Sequence, residues 1–286
     1  MNKIPFSQEN DIVTALPQGI SKTKKWIIRR GKNKLFLKET INTKGAVTKQ
    51  EIENINRQCD CFLPIIDQQS FDEKKYTLYP FLKGRKFESF TLQEVKKIAE
   101  KIGCTLSNLS KCKVDYPEMN LSKIKELFLQ DVEFFFSCRK SPFDISKEEF
   151  IKEGLECLKS FQHAGQTLIH GDIKPENLII AKNKIYFIDL DEMRKGYFAF
   201  NFQFTCQMLF FKSKKYSTFF KTLILSYFNN TIPLWFSENY KFMLYNKFFN
   251  RARLFIEKDD KVGEKLFYDE FRHIFNLIRK KDWQIC

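Results

Sequence analysis

The hydrophobic period of the chain changes near residue 84, and this change restricts the folds open to it. Before that point most apolar residues fall in short strand-like runs, interrupted by one helical segment. After it, the spacing of three and four residues that marks amphipathic helices dominates. Strands first and helices afterwards indicate an α+β protein. We therefore expect a small antiparallel β lobe with one helix over 1–83, and a larger, mainly helical lobe over 84–286.

The elements of the N-terminal lobe are predicted from apolar runs and turn residues. Residues 26–30 and 34–39 flank Gly31-Lys32-Asn33, which is the pattern of an antiparallel hairpin. The other elements expected here are a helix over 46–59 and strands over 63–67 and 76–82.

Helix-start signals divide the C-terminal lobe. Thr91 with Glu94, and Ser146 with Glu149, fit capping boxes that precede apolar residues at helical spacing. A further helix is expected over 121–138. Between 167 and 190 the pattern returns to short apolar runs, which predicts strands, and 203–284 is typical of three or four helices.

Charge and cysteine content restrict the partners and the compartment. The chain has 49 Lys and Arg against 35 Asp and Glu, a net charge of +14, which favours anionic partners over polycationic ones. Its 8 cysteines include no CxxC pair, and Cys59 and Cys61 have no nearby His to complete a zinc set. The N-terminus has no signal-peptide pattern and no apolar run is long enough to span a membrane. We expect a cytoplasmic protein with reduced thiols.

The segment from 168 to 191 carries the chemistry. His170, Asp172, Asn177, Asp189 and Asp191 are short polar side chains set between apolar, strand-like runs. A hairpin would return Asp189 beside the loop that holds Asp172 and Asn177. Carboxylate and amide oxygens that converge in this way suit Mg²⁺, and a remaining carboxylate can orient a hydroxyl group and accept its proton.

This segment resembles the catalytic loop of the protein-kinase-like superfamily. The order His170-Gly171-Asp172, then Asn177, then Ile188-Asp189 is most similar to the aminoglycoside phosphotransferase and choline kinase branch. The resemblance implies a two-lobed protein-kinase-like fold and an ATP-dependent kinase acting on an alcohol group. It implies Asp172 as catalytic base, His170 as a brace for the loop, and Asn177 and Asp189 as holders of Mg²⁺ on ATP.

The same resemblance extends upstream and implies a nucleotide site. The stretch Leu16–Ser21 resembles a turn over the phosphates, with Gly19 at its centre. Lys38 takes the position of the lysine that contacts the α- and β-phosphates. Glu51 is the expected partner of Lys38, with Glu53 as the alternative.

Residues 76–84 resemble the strand and hinge that hold adenine, through the backbone between Tyr79 and Leu82 and including Phe81. With this hinge, the resemblance covers about residues 12–205.

Several departures from the superfamily pattern restrict the branch. Gly171 replaces the arginine of protein kinases, and neither D-F-G nor A-P-E is present, which argues against a phosphorylation-gated protein kinase. Lys174 instead follows the protein-kinase pattern, where this lysine faces the transferring phosphate. The stretch 201–205 begins with Asn201 and has no carboxylate where small-molecule kinases have a supporting Asp. The support of the catalytic loop is therefore in question.

The acceptor is described only by class. Residues 201–286 contain 15 Lys and Arg against 8 Asp and Glu, so a polycationic aminoglycoside is disfavoured and a sugar, glycolipid or amino-alcohol hydroxyl is expected. Peripheral contact with an anionic surface is compatible with this charge, and stable nucleic-acid binding is not expected. An atypical Ser/Thr protein kinase and a non-catalytic kinase-like binding protein are the alternatives.

Overall fold

The computed structural model describes residues 4–17, 23–40, 47–71, 73–143, 145–181, 184–202 and 213–279. Backbone contacts divide the chain into two compact units. The first unit comprises Met1–Phe90, Lys111–Val114 and Pro175–Met193, and the second comprises Thr91–Ser110, Asp115–Lys174 and Arg194–Cys286. The boundary that we predict near residue 84 stays a prediction, and the grouping places 175–193 with the N-terminal strands.

A five-stranded antiparallel sheet forms most of the first unit. Its strands are β1 (Ile12–Ala15), β2 (Lys25–Arg30), β3 (Asn33–Thr40), β4 (Asp67–Phe71) and β5 (Lys74–Pro80), in the order β1-β2-β3-β5-β4. The predicted hairpin is β2 and β3, with Arg30 paired to Asn33. Gly31 has φ of 57°, which a glycine adopts without steric cost and which the tight turn requires.

The strand predicted over 63–67 is wrong. Residues 63–66 lie outside the sheet, although Leu63 and Ile65 are buried, and Pro64 has no N–H to give to a ladder. The strand begins instead at Asp67 and is mostly polar and exposed. This composition suits β4 because it is an edge strand, where polar side chains discourage pairing with another chain.

A helix and a second hairpin complete the first unit. Helix α1 (Lys49–Cys59) begins at Thr48, whose hydroxyl accepts a hydrogen bond from the N–H of Glu51, and the Glu51 carboxylate binds back to Thr48. Strands β7 (Leu178–Ala181) and β8 (Lys184–Phe187) pair antiparallel. The N–H of Phe187 donates to the carbonyl of Cys61 over 2.8 Å, which ties β8 to the segment after α1.

The second unit is mainly helical. Among the described residues its helices are α2 (Leu92–Leu109), α3 (Leu121–Cys138), α4 (Lys147–Lys159), α5 (Lys214–Tyr227), α6 (Leu234–Glu257) and α7 (Lys261–Arg279). Strands β6 (Thr167–Ile169) and β9 (Arg194–Gly196) form a small ladder. Both predicted capping boxes are present at the starts of α2 and α4. The α+β class is confirmed.

Phenylalanine rings fill the core of the second unit. Phe128, Phe135, Phe150 and Phe249 come from α3, α4 and α6, and the rings of Phe150 and Phe249 lie 5.1 Å apart, edge to face. Aromatic pairs at such separations stabilise a core beyond the area that they bury.

No helix in the described part of the chain is long and apolar enough to cross a membrane.

Helices α2 and α5 pack with almost no space at Gly103. A Cβ atom there would lie 2.4 Å from the carbonyl oxygen of Leu223 and 2.6 Å from Cβ of Ser226.

We predict that Gly103→Ala destabilises the protein by about 1–3 kcal/mol, because the obstructing atoms include rigid backbone. Urea unfolding measures this. Gly165→Ala is the control, because no atom lies within 4 Å of its added methyl group. Equal stability of both variants would contradict the close packing.

Candidate active site

Strand β3 carries Lys38 into the interior of the first unit. The residue is only 7% exposed, because β3 lies between β2 and β5. Its Nζ atom donates hydrogen bonds to Oδ1 of Asp189 over 2.6 Å and to Oδ2 of Asp191 over 2.7 Å. A buried ammonium group needs such partners, because an unpaired charge loses its hydration without compensation.

The backbone after β8 brings both carboxylates to Lys38. Asp189 adopts the left-handed conformation, with φ of 64°, which Asp tolerates better than most residues. A 3₁₀ turn over Leu190–Glu192 follows and returns Asp191 to the same ammonium group. Burial lowers the pKa of Lys38, but attraction to Asp189 and Asp191 outweighs it, so the pKa is raised overall and the ammonium stays protonated.

Glu51 does not pair with Lys38, contrary to our expectation. Its carboxylate accepts hydrogen bonds from the backbone N–H of Thr48 over 2.6 Å and from the Thr48 hydroxyl over 2.7 Å. This local capping box satisfies donors at the start of α1 and holds Glu51 there. The alternative, Glu53, lies 3.9 Å from the ammonium of Lys49. Asp189 and Asp191 take the place that we gave to Glu51.

A cavity of about 270 Å³ lies within the first unit beside Lys38. Most of its walls are apolar, with Phe36, Leu63 and Ile179 among them, while Asn177 and Asp189 add polar groups. An apolar cleft with a few convergent polar groups is typical of a small-molecule site. Leu16 also lines it, but the predicted glycine of the phosphate turn, Gly19, lies outside the described residues.

The predicted hinge lines the same cavity, and its backbone restricts how a ligand can bind. Tyr79, Phe81 and Leu82 all contribute to the wall. Pro80 has no N–H, and the N–H of Phe81 donates to the carbonyl of Lys34 over 3.1 Å. Within the described part of the chain the N–H of Leu82 has no acceptor. Leu82 is therefore the donor that the hinge can offer to a ligand. Burial raises the pKa of Tyr79 to about 12, so its hydroxyl stays neutral.

The polar groups at Asn177 and Asp189 suit a hard cation. Asn177 is buried, and its carbonyl oxygen accepts a hydrogen bond over 3.0 Å from the N–H of Ile188, the residue before Asp189. The ladder therefore ties together the two backbone segments that carry these side chains. An amide oxygen and a carboxylate oxygen are ligands that Mg²⁺ prefers, so the donor set fits this metal.

The predicted catalytic loop follows β6 in the second unit. His170 is fully buried, and its Nδ1 atom accepts a hydrogen bond from the N–H of Asp172 over 3.2 Å. Gly171 between them has φ of 82°, a conformation that favours glycine. The carboxylate Oδ2 of Asp172 accepts a hydrogen bond from the ammonium of Lys174 over 2.6 Å. This side chain of Asp172 is thus mostly buried, anchored and paired with a cation.

Asn201 supports this loop, which we did not expect from the sequence. It is 2% exposed, and its Oδ1 atom accepts hydrogen bonds from the N–H of His170 over 2.9 Å and of Gly171 over 3.3 Å. Its own carbonyl accepts from the N–H of Ile173 over 2.7 Å. These bonds hold the backbone on both sides of Asp172. An amide oxygen accepts them as a carboxylate oxygen would, so the missing Asp does not leave the loop without support.

Replacing Asn201 should loosen this loop selectively. We predict that Asn201→Ala destabilises the protein by about 1–3 kcal/mol, because two buried N–H groups lose their acceptor. Amide hydrogen exchange should accelerate at residues 170 and 171. Asn201→Asp retains the acceptor oxygen and should retain the protection. Unchanged exchange in Asn201→Ala would show that the loop does not depend on this side chain.

Solved structures share the fold. The apo form of a thermostable mutant of aminoglycoside phosphotransferase APH(4)-Ia is 10% identical, with a TM-score of 0.66 over 96% of both chains. Spectinomycin phosphotransferase APH(9)-Ia in complex with ADP and spectinomycin is 13% identical, with a TM-score of 0.58 over 92% of this chain and 89% of that one. An aminoglycoside phosphotransferase from Alicyclobacillus acidocaldarius is 10% identical, with a TM-score of 0.62 over 94% and 92%.

Comparison of the sequence with protein families identifies the family of the chain. No curated protein has a sequence that matches the chain. A family model does match, over residues 62–224, which is more than half of the chain and includes the predicted catalytic loop, Asn177, Asp189 and Asn201. The chain belongs to the phosphotransferase enzyme family.

Proposed function

We propose that this phosphotransferase moves the γ-phosphate of Mg²⁺-ATP to a hydroxyl group of a small molecule or glycoconjugate. The main support is the position of Lys38, whose ammonium is buried against the carboxylates of Asp189 and Asp191 beside an apolar cavity. A fixed cation next to an adenine-sized cleft is the arrangement that binding a nucleotide polyphosphate requires. Structures of related folds contain ADP, which agrees with this ligand.

The residues of the first unit would bind the nucleotide. The N–H of Leu82 would donate to the adenine ring, and Lys38 would contact the α- and β-phosphates. Asn177 and Asp189 would hold Mg²⁺, which when bound neutralises negative charge on the phosphates. Binding would therefore require Lys38 to exchange part of its contact with the carboxylates for contact with phosphate oxygens.

The residues of the loop after β6 would carry out the transfer. Asp172 would orient the acceptor hydroxyl and accept its proton as the new P–O bond forms and the bond to ADP breaks. Lys174, now on Asp172, would stabilise negative charge on the transferring phosphate. His170 and Asn201 would act by positioning, because they bind the loop backbone on either side of the base.

The acceptor is inferred from charge. The segment 201–286 carries 15 basic and 8 acidic residues, which does not suit a polycationic ligand. An uncharged or anionic acceptor with a free hydroxyl, such as a sugar or glycolipid, fits better, and an amino alcohol is also in the proposed class because it carries only one positive charge. We place the enzyme in the cytoplasm, where ATP is abundant. Peripheral contact with an anionic surface is compatible with its charge, and a stable nucleic-acid complex is not expected.

Phosphate transfer tests this function directly. Purified protein would be incubated with Mg²⁺, γ-labelled ATP and, in separate arms, a deproteinised metabolite extract, total lipids, desalted protein, hygromycin B or spectinomycin. We predict label in the metabolite or lipid arm. Asp172→Asn should reduce transfer at least about 100-fold, because it removes the base, while ATP binding is retained.

Asp115→Asn is the matched control, because it neutralises an exposed carboxylate of the same unit. It should transfer normally. Label on protein alone would favour the protein-kinase alternative, and label on hygromycin B or spectinomycin would overturn the acceptor class. ATP binding without transfer in any arm would favour a non-catalytic binding protein.

A further inference from the structure

Three cysteines meet at the end of helix α1 in the first unit. Cys59 is the last residue of the helix, and its Sγ atom lies 3.0 Å from Sγ of Cys61. The thiol of Cys112, from the segment 111–114, also forms a hydrogen bond with Cys59. None of these cysteines is in a disulfide. The nucleotide site does not use them, so their proximity needs its own explanation.

The backbone explains why the thiols converge. Asp60 is left-handed, with φ of 43°, and its N–H closes α1 on the carbonyl of Asn56. This reversal places Cys59 and Cys61 on the same side of the chain. The side-chain carbonyl of Gln58 accepts a hydrogen bond from the N–H of Lys113 over 3.1 Å, which holds the segment of Cys112 beside them.

The three thiols are not equivalent. Hydrogen bonds from Cys61, and then from Cys112, lower the pKa of Cys59. Donation to Cys59, together with burial, raises the pKa of Cys61, and burial raises that of Cys112 to about 12. Cys59 is half-buried and reachable, whereas Cys61 is 1% exposed. The cluster therefore holds one reactive sulfur, with a second thiol in contact with it.

The cluster favours thiol chemistry over metal binding. Among the described residues, no group of three or more His, Cys, Asp and Glu side chains has an arrangement that could hold a metal ion. Two adjacent thiols, of which one is activated and accessible, are instead the arrangement of a reversible dithiol.

We propose that Cys59 and Cys61 are a redox modification site that closes to a disulfide with a low-molecular-weight disulfide as oxidant. The Cys59 thiolate attacks one sulfur of the oxidant, forms a mixed disulfide and releases one thiolate. Cys61 then transfers its proton to the released thiolate. Its own thiolate attacks the Cys59 sulfur of the mixed disulfide, which forms the protein disulfide and releases the second small thiolate. Two protein thiols and one small disulfide thus give one protein disulfide and two small thiols, a transfer of two electrons.

The location couples this site to the nucleotide cavity, a step that rests on the proposed function. Bonded sulfurs are about 2 Å apart, so Cys61 must move toward Cys59. The carbonyl of Cys61 accepts the hydrogen bond of Phe187, two residues before Asp189. Oxidation therefore disturbs the strand that positions Asp189. We expect it to weaken Mg²⁺-ATP binding at least about threefold, which corresponds to roughly 0.7 kcal/mol of binding free energy.

Mass spectrometry of the full chain tests the site. The parent variant would have Ser at the exposed Cys104 and Cys138, and at Cys206 and Cys286, which lie outside the described residues. It would be treated with oxidised glutathione and alkylated. Digestion after Arg57 and Lys74 leaves both cysteines in one peptide. That peptide should lose about 2 Da and resist alkylation, and a reductant should reverse both changes.

Single variants separate the roles of the thiols. In Cys61→Ser the reaction should stop at a glutathione adduct on Cys59, because no second thiol is in place to displace the glutathione. Cys112→Ala should still form the disulfide, but more slowly, because it removes only a hydrogen bond that lowers the pKa of Cys59. Cys157→Ser is the control, because this buried thiol lies on α4 in the second unit and donates to Glu238.

Three results would overturn the site: a stable adduct on Cys59 with Cys61 alkylated in the parent, a bond from Cys59 to the peptide of Cys112, or thiols protected by bound zinc. Calorimetric ATP binding, measured before and after oxidation, tests the coupling. Failure of the reduced protein to bind ATP would contradict the proposed function and leave the mass result valid. Equal binding in both states would overturn only the coupling.

Discussion

The hydrogen bonds from Lys38 to Asp189 and Asp191 are the interaction on which the candidate site depends. They join β3 to the turn after β8, across about 150 residues of sequence. The ammonium is buried, so it needs counter-charge, while the carboxylates are 37% and 46% exposed and remain accessible to other cations. The site therefore combines the fixed ammonium group of Lys38 with the accessible carboxylates of Asp189 and Asp191. This combination suits a polyphosphate that carries a metal ion.

The predicted catalytic loop in the second unit is held by a different set of interactions. There the backbone around Asp172 is held by neutral hydrogen bonds to the side chain and carbonyl of Asn201. Because the acceptor is an amide, Asn201 adds no negative charge behind Asp172. The carboxylate of Asp172 has Lys174 as its cationic partner instead. Asn201 therefore positions the loop without adding a second buried carboxylate beside Asp172.

Local signals were sufficient for much of this structure. The turn at Gly31 and the capping box at Thr91 can be predicted from neighbouring residues, and the structure confirms both. The strand Asp67–Phe71 was missed because a polar edge strand has no apolar alternation to detect. The assignment of Glu51 to Lys38 failed because spacing cannot show that a carboxylate is held by its own helix cap. The role of Asn201 was hidden because its hydrogen bonds reach a loop about 30 residues away.

Isothermal titration of Mg²⁺-ATP into Lys38→Met tests the central claim most directly. Methionine keeps most of the apolar stem and removes the charge, and the exposed carboxylates can stay hydrated, so the variant should fold. We predict that nucleotide affinity falls at least about tenfold, or 1.4 kcal/mol, while Lys32→Met, at an exposed turn, binds normally. Unchanged affinity in a folded Lys38→Met variant would contradict the assignment of this cavity as the nucleotide site.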